Sequence, residues 1–348
     1  MRKNLFATTP GIIIVGAVIG LIAVWLQKLG NPANMGICVA CFERDVAGGL
    51  GLHRAAIVQY LRPEIMGLVL GSLAAAATRE FKPRGGSAPI VRFVLGMIAA
   101  MGALVFLGCP WRAILRLAGG DGNAILGLAG LATGIWFGTL FFKKGYSLGR
   151  SNSQSVVSGA LFPVIAVCLL LLYLIFPQIP DQPQSGPLFY SVKGPGSQHA
   201  PFIASLGLAF IIGIFAQRSR FCTMGAFRDL FLFRYTHLFL GLAAMFAAAF
   251  IANALTGGLK FGFEGQPVAH SDFLWNYLGM VTAGLAFALA GGCPGRQLFM
   301  AGEGDSDAGI FALGMLVGAA MAHNLGTASS GTGIGVYGMQ ATIIGFAV

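Results

Sequence analysis

Long apolar runs separated by short polar breaks recur from one end of the chain to the other. Nine of them, at about 10–28, 63–78, 88–107, 123–142, 159–177, 200–216, 237–256, 272–291 and 308–326, approach the ~20 residues an α-helix needs to cross a bilayer. In hydrocarbon the backbone must satisfy its own hydrogen bonds, so a spanning segment is either helical or part of a closed barrel. Barrel strands alternate apolar and polar residues over ~10 positions, whereas these runs are unbroken. The pattern predicts an all-α polytopic membrane protein of about nine transmembrane helices, with short re-entrant or half helices in the Gly-, Pro- and Arg-bearing breaks. Gly333 to Val348 is apolar but short, and reads as an incomplete tenth helix.

Composition agrees with the pattern. Of 348 residues, 56% are hydrophobic and 10% charged, against about 25% charged in soluble domains. The first 29 residues have a basic end and an apolar run, yet the run is long for a signal peptide and lacks a clear small-x-small cleavage site, so it reads as a retained span. The net charge of +10 does not mark a nucleic-acid binder, because the 22 Lys and Arg are scattered between spans. On alternate sides of the predicted spans they divide as 14 on the side of the N-terminus and 8 on the other. This bias places the N-terminus in the cytoplasm of a bacterial cell, with the chain in the inner membrane.

The polar breaks repeat. Cys38 to Asp45 reads C-V-A-C-F-E-R-D and Cys222 to Asp229 reads C-T-M-G-A-F-R-D; Gly108 to Ala124 begins G-C-P-W-R and Gly292 to Ala308 begins G-C-P-G-R. The differences 222 − 38 and 293 − 109 are both 184, so one duplication accounts for both pairs. Gly130/Gly134 and Gly314/Gly318 repeat at the same offset, and such small-residue faces let membrane helices approach closely. Each repeat holds four spans, and the Leu-rich span near 159–177 stands between them. Corresponding spans are therefore five crossings apart, which makes the repeats inverted. The chain divides into a first inverted repeat (1–150), a linker helix and polar loop (151–199) and a second inverted repeat with an apolar tail (200–348).

Chemistry concentrates in these breaks. Proline suits the first turn of a helix, so Cys109 and Cys293 stand at helix starts, where free amides and the dipole favour an anion or a thiolate. Arg112 and Arg296 follow within one turn and add fixed positive charge. Arg44–Asp45 and Arg228–Asp229 follow Cys38 and Cys222; burying such charges demands pairing or hydration, so these pairs serve either an anion or the pinning of a re-entrant segment. Asp121 and Asp305 match across the repeats and read as solvated-loop or helix-capping residues. Cys168, in a featureless Leu-rich span, reads as packing. The lone C-x-x-C, Cys38 and Cys41, has Gly225 in place of its second cysteine in the other repeat, which argues against a metal site. The five histidines show no ligand spacing and no Walker loop is present, so no cofactor and no ATP-driven motor are expected.

The segments R-S-R-F-C-T-M-G-A-F-R-D (218–229) and A-G-G-C-P-G-R-Q-L-F-M-A-G-E-G-D (290–305) resemble the YeeE/YedE family, most closely its selenium-associated YedE branch, and the likeness extends to Cys38 and L-G-C-P-W-R (107–112). The family includes thiosulfate transporters of hourglass-shaped inverted-repeat fold. The resemblance implies a non-enzymatic transporter in which Cys222 and Cys293, then Cys38 and Cys109, line a central path that hands a sulfur or selenium anion along through S–H···S contacts. It also implies a soluble cytoplasmic partner, a TusA-type sulfur-carrier protein. The extra Cys41 and the exchange of Gly295 for Trp111 make the two mouths unequal and leave the substrate open. Competing readings are a membrane thiol-disulfide oxidoreductase and a structural membrane subunit.

Overall fold

The computed structural model describes residues 5–78 and 81–347. Its helices are α1 (Thr9–Lys28), α2 (Val39–Gly49), α3 (Pro63–Ala77), α4 (Pro89–Phe106), α5 (Pro110–Ala118), α6 (Asn123–Lys143), α7 (Val156–Ile175), α8 (Phe202–Ser219), α9 (Thr223–Phe233), α10 (His237–Leu255), α11 (Phe273–Ala290), α12 (Pro294–Gly302), α13 (Ser306–Asn324) and α14 (Gly338–Ala347). Among the described residues the strands are two-residue antiparallel pairings, Arg84–Gly85 with Asn152–Ser153 and Gln184–Ser185 with Leu188–Phe189. The chain is an all-α polytopic membrane protein.

Each of the nine predicted spans coincides with a helix, but eight segments of the described chain are long and apolar enough to cross a bilayer. The exception is α3. Its 15 residues reach ~22 Å, short of a ~30 Å hydrocarbon core. Pro63 fixes its first turn, and the preceding Arg62 is held by Asp45 at 2.7 Å, so the helix has no room to extend backward. The tail helix α14, at ten residues, is shorter still and rests on α4 and α11.

The offset of 184 holds in three dimensions. α2 and α9, α4 and α11, and α5 and α12 correspond end to end. α1 packs on α10 as α8 packs on α3, and α4 packs on α13 as α11 packs on α6. A side chain on Gly130 or Gly134 would strike the carbonyl oxygens of Tyr277 and Val281, and one on Gly314 or Gly318 the backbones of Phe93 and Met97. The paired G-x-x-x-G stretches thus set backbone-to-backbone approach at matching places. The linker α7 lies outside this packing and buries only Gly159, Pro163 and Ala166. Cys168 is therefore exposed on the outer surface, contrary to its reading as a packing residue, because it lies on the face of α7 turned away from the bundle.

Gly134→Val is expected to lower stability in detergent by about 1–3 kcal/mol through overpacking against α11, whereas Gly207→Ala, with open space around its Cα, should leave the melting temperature unchanged. A thermal melt of both variants checks the close approach.

Candidate functional site

Four short helices inside the bundle begin at the repeated cysteines, with Cys38 capping α2, Cys109 capping α5, Cys222 capping α9 and Cys293 capping α12. Backbone angles agree between repeat mates: φ/ψ are −150°/105° at Cys38 and −156°/119° at Cys222, −79°/172° at Cys109 and −69°/164° at Cys293. Pro110 and Pro294 had marked two of these starts. No proline precedes α2 or α9, so the capping by Cys38 and Cys222 was not legible. Their sulfurs accept from the amides of Cys41 and Gly225, each at 3.3 Å. The Cys222 and Cys293 sulfurs stand 3.8 Å apart, and the Cys38 and Cys109 thiols are neighbours at the matching place. All four are free thiols.

Of the second pair, Cys222 lines a cavity of about 740 Å³ together with Arg218, Arg220, Arg228, Asp229 and Arg296, while Cys293 lies buried behind it. Here arginines exceed acids, and Arg296 keeps one buried guanidinium nitrogen without a partner in the protein. Thr223 Oγ1 and Gln297 Oε1, within a turn of Cys222 and Cys293, are buried and equally unpartnered. Neither residue has a polar counterpart in the first repeat, where Val39 and Ala113 stand, so the duplication could not reveal them.

The first pair is closed over. Cys38, Cys41 and Cys109 are at most 1% exposed. Arg44 and Arg62 both bond Asp45 at 2.7 Å, and Arg62 also donates to the carbonyls of Gln198 and Pro195. Arg112, unlike Arg296, is tied up within the protein: it donates to the carbonyls of Leu107, Val268, Pro267 and Asn34 and to Cys41 Sγ at 3.7 Å. Leu107 ends α4 in the left-handed region (φ 62°) where its mate Gly291 (φ 86°) ends α11, and the bond from Arg112 braces a conformation that costs a leucine about 1–2 kcal/mol. Arg116 pairs with Asp121 at 2.6 Å, while Asp305 caps α13 and pairs with Arg84. The helix-capping reading of these aspartates fits, but they are buried in ion pairs, which was not expected, and not solvated. In the covering loops His53 donates through Nε2 to the Arg44 carbonyl, and His270 through Nε2 to that of Val105; burial holds both imidazoles below their usual range. Arg62 and Arg116 were missed because Phe246 and Met300 occupy the mate positions; their signal was charge close to apolar runs.

Between the two pairs lies Trp111, 1% exposed, whose ring packs on Phe221 and Phe299 and against Gly295. Residues 218–336, which carry the second thiol pair and most of its basic cavity, match the family described as sulphur transport. A stretch of 106 residues is 32% identical to the thiosulfate transporter TsuA of Spirochaeta thermophila, covering 30% of this chain and 32% of that relative. The alignment thus spans about a third of either protein. The sulphur-transport match coincides with the open, arginine-rich half of the site; the closed half lies outside it.

The repeat mates Asp45 and Asp229 should behave differently. Asp45→Ala leaves Arg44 and Arg62 buried without a counter-charge and is expected to cost about 3–5 kcal/mol. Asp229→Ala breaks a pair whose arginine is 36% exposed, for which about 0–1 kcal/mol is expected. Thermal melts of the two variants in one detergent give the comparison.

Proposed function

We propose that this multi-pass membrane protein transports a small sulfur- or selenium-containing anion between two mouths, handing it along the thiols of Cys38, Cys109, Cys222 and Cys293. The observation that carries this reading is the convergence within the bundle of four helix N-termini each begun by a cysteine, one of which, Cys222, lines an arginine-rich cavity. Each N-terminus contributes roughly half a positive charge, so four together approach the two negative charges of thiosulfate without any mobile cation. A thiol is a weak donor suited to a polarizable sulfur or selenium atom. Weak sites in series let the anion leave as readily as it enters.

The repeats 1–150 and 200–348 are taken as inverted, which puts the two mouths on opposite faces. The basic cavity, lined also by Ala7, lies on the side of the N-terminus, and the Lys/Arg bias assigns that side to the cytoplasm of a bacterial inner membrane. There a small TusA-type sulfur-carrier protein would receive the imported atom. Arg44, Arg112, Asp45 and their neighbours hold the covering loops of the first mouth, while Arg228, Arg296 and Asp229 meet the anion in the second.

Purified protein in liposomes should take up thiosulfate or a selenium oxyanion such as selenite while excluding sulfate, which offers no exposed soft atom. Cys222→Ala and Cys293→Ala are each expected to reduce that uptake to background, and Cys168→Ala, altering only the outer surface, to leave it unchanged. Normal transport by all three variants would contradict a thiol path, and a persistent mixed disulfide with a partner would favour the oxidoreductase reading instead.

A further inference from the structure

Trp111 is the largest side chain between the two thiol pairs, and nothing in the duplication requires it. It follows Cys109 by two residues, at the start of α5, and its mate at the start of α12 is Gly295. The indole reaches across to that glycine. A Cβ placed on Gly295 would stand 3.1 Å from Cζ2 and 3.3 Å from Cε2, the ring carbon bonded to Nε1. The six-membered edge of the indole therefore lies over the first turn of the helix that Cys293 begins, with Nε1 bonded to one of its contacting carbons. The opposite packing is aromatic: ring centroids of Phe221, which precedes Cys222, and Phe299 lie at 5.7 and 5.9 Å. The ring thus bridges from the Cys109 half of the site to the Cys222–Cys293 half.

Its indole N–H is buried and has no hydrogen-bond partner in the protein, although buried tryptophan N–H groups ordinarily find one. Thr223 Oγ1 and Gln297 Oε1 beside the neighbouring thiols share that condition.

We infer that Trp111 is the gate and specificity-determining residue between the two thiol pairs: its ring closes the path at rest, and its N–H donates to an oxygen of the passing oxyanion while the thiols hold the soft atom. The inference rests on the transport reading above. An anion with only oxygen ends would meet the indole without engaging the thiols, and one with only a soft end would lose the indole bond. At rest the ring lies against the bare backbone of Gly295, and for passage it must swing away from α12.

The test uses the full chain in liposomes, with radiolabelled thiosulfate uptake read beside iodide entry, the latter by quenching of an entrapped dye. Trp111→Ala is expected to admit iodide at least tenfold faster than the parent. Trp111→Phe should remain tight to iodide but raise the half-saturating thiosulfate concentration about fivefold, the scale of one lost hydrogen bond. Should the alanine variant not fold, as judged by elution and melting, Trp111→Leu reads the same leak. A folded alanine or leucine variant as tight as the parent, or a phenylalanine variant with unchanged half-saturation, overturns the inference. Failure of the parent to take up thiosulfate would sink the transport reading alone, since the iodide arm still reports whether Trp111 closes the path.

Discussion

Breaking a helix inside a membrane exposes backbone amides that water cannot reach, and the arrangement of this protein follows from how those amides are satisfied. Four breaks bring four N-termini inward, each begun by a cysteine. A serine or aspartate would cap more strongly and would also occupy the amides more permanently. A thiol accepts weakly, as the 3.3 Å contacts at Cys38 and Cys222 show, so the positive ends remain available to an anion. The glycine-mediated approach of α6 to α11 and of α13 to α4 holds the helices bearing these breaks at fixed separation.

Duplication explains the likeness of the halves, and charge explains their difference. In the first repeat the arginines near the thiols are held by acids or carbonyls: Arg44 and Arg62 by Asp45, Arg116 by Asp121 with one buried nitrogen left over, Arg112 by backbone carbonyls. The result is a closed mouth whose arginines are tied to aspartates and backbone instead of facing a cavity. In the second, Arg228 is partly exposed beside Asp229, and Arg296 reaches Glu303 at only 3.6 Å. Positive charge is left facing a cavity large enough for an oxyanion and its water.

Most of the architecture was legible because bilayer physics leaves few choices for long apolar runs; the nine spans fell on helices within a few residues. α3 differs only in not being long enough to cross: its bounds, 63–77 against the expected 63–78, were legible, and its 15 residues fall short of a span. The thiol pairs were legible as pairs because the offset of 184 linked Cys38 with Cys222 and Cys109 with Cys293. That Cys38 meets Cys109, and Cys222 meets Cys293, depends on how the broken helices fold back, which no sequence interval expresses. Arg116, Thr223 and Gln297 lacked mates and so stayed hidden, and Cys168 was misjudged because a Leu-rich helix looks alike whether it faces lipid or protein.

The central claim is that thiol-capped helix ends bind the anion directly. Its most direct measurement is alkylation of each cysteine by a membrane-permeant maleimide, followed by mass spectrometry, with and without saturating thiosulfate. The account predicts that thiosulfate slows modification of Cys222 at the floor of the basic cavity several-fold and leaves the exposed Cys168 unaffected, with sulfate protecting neither. Equal rates at Cys222 with and without thiosulfate would contradict it.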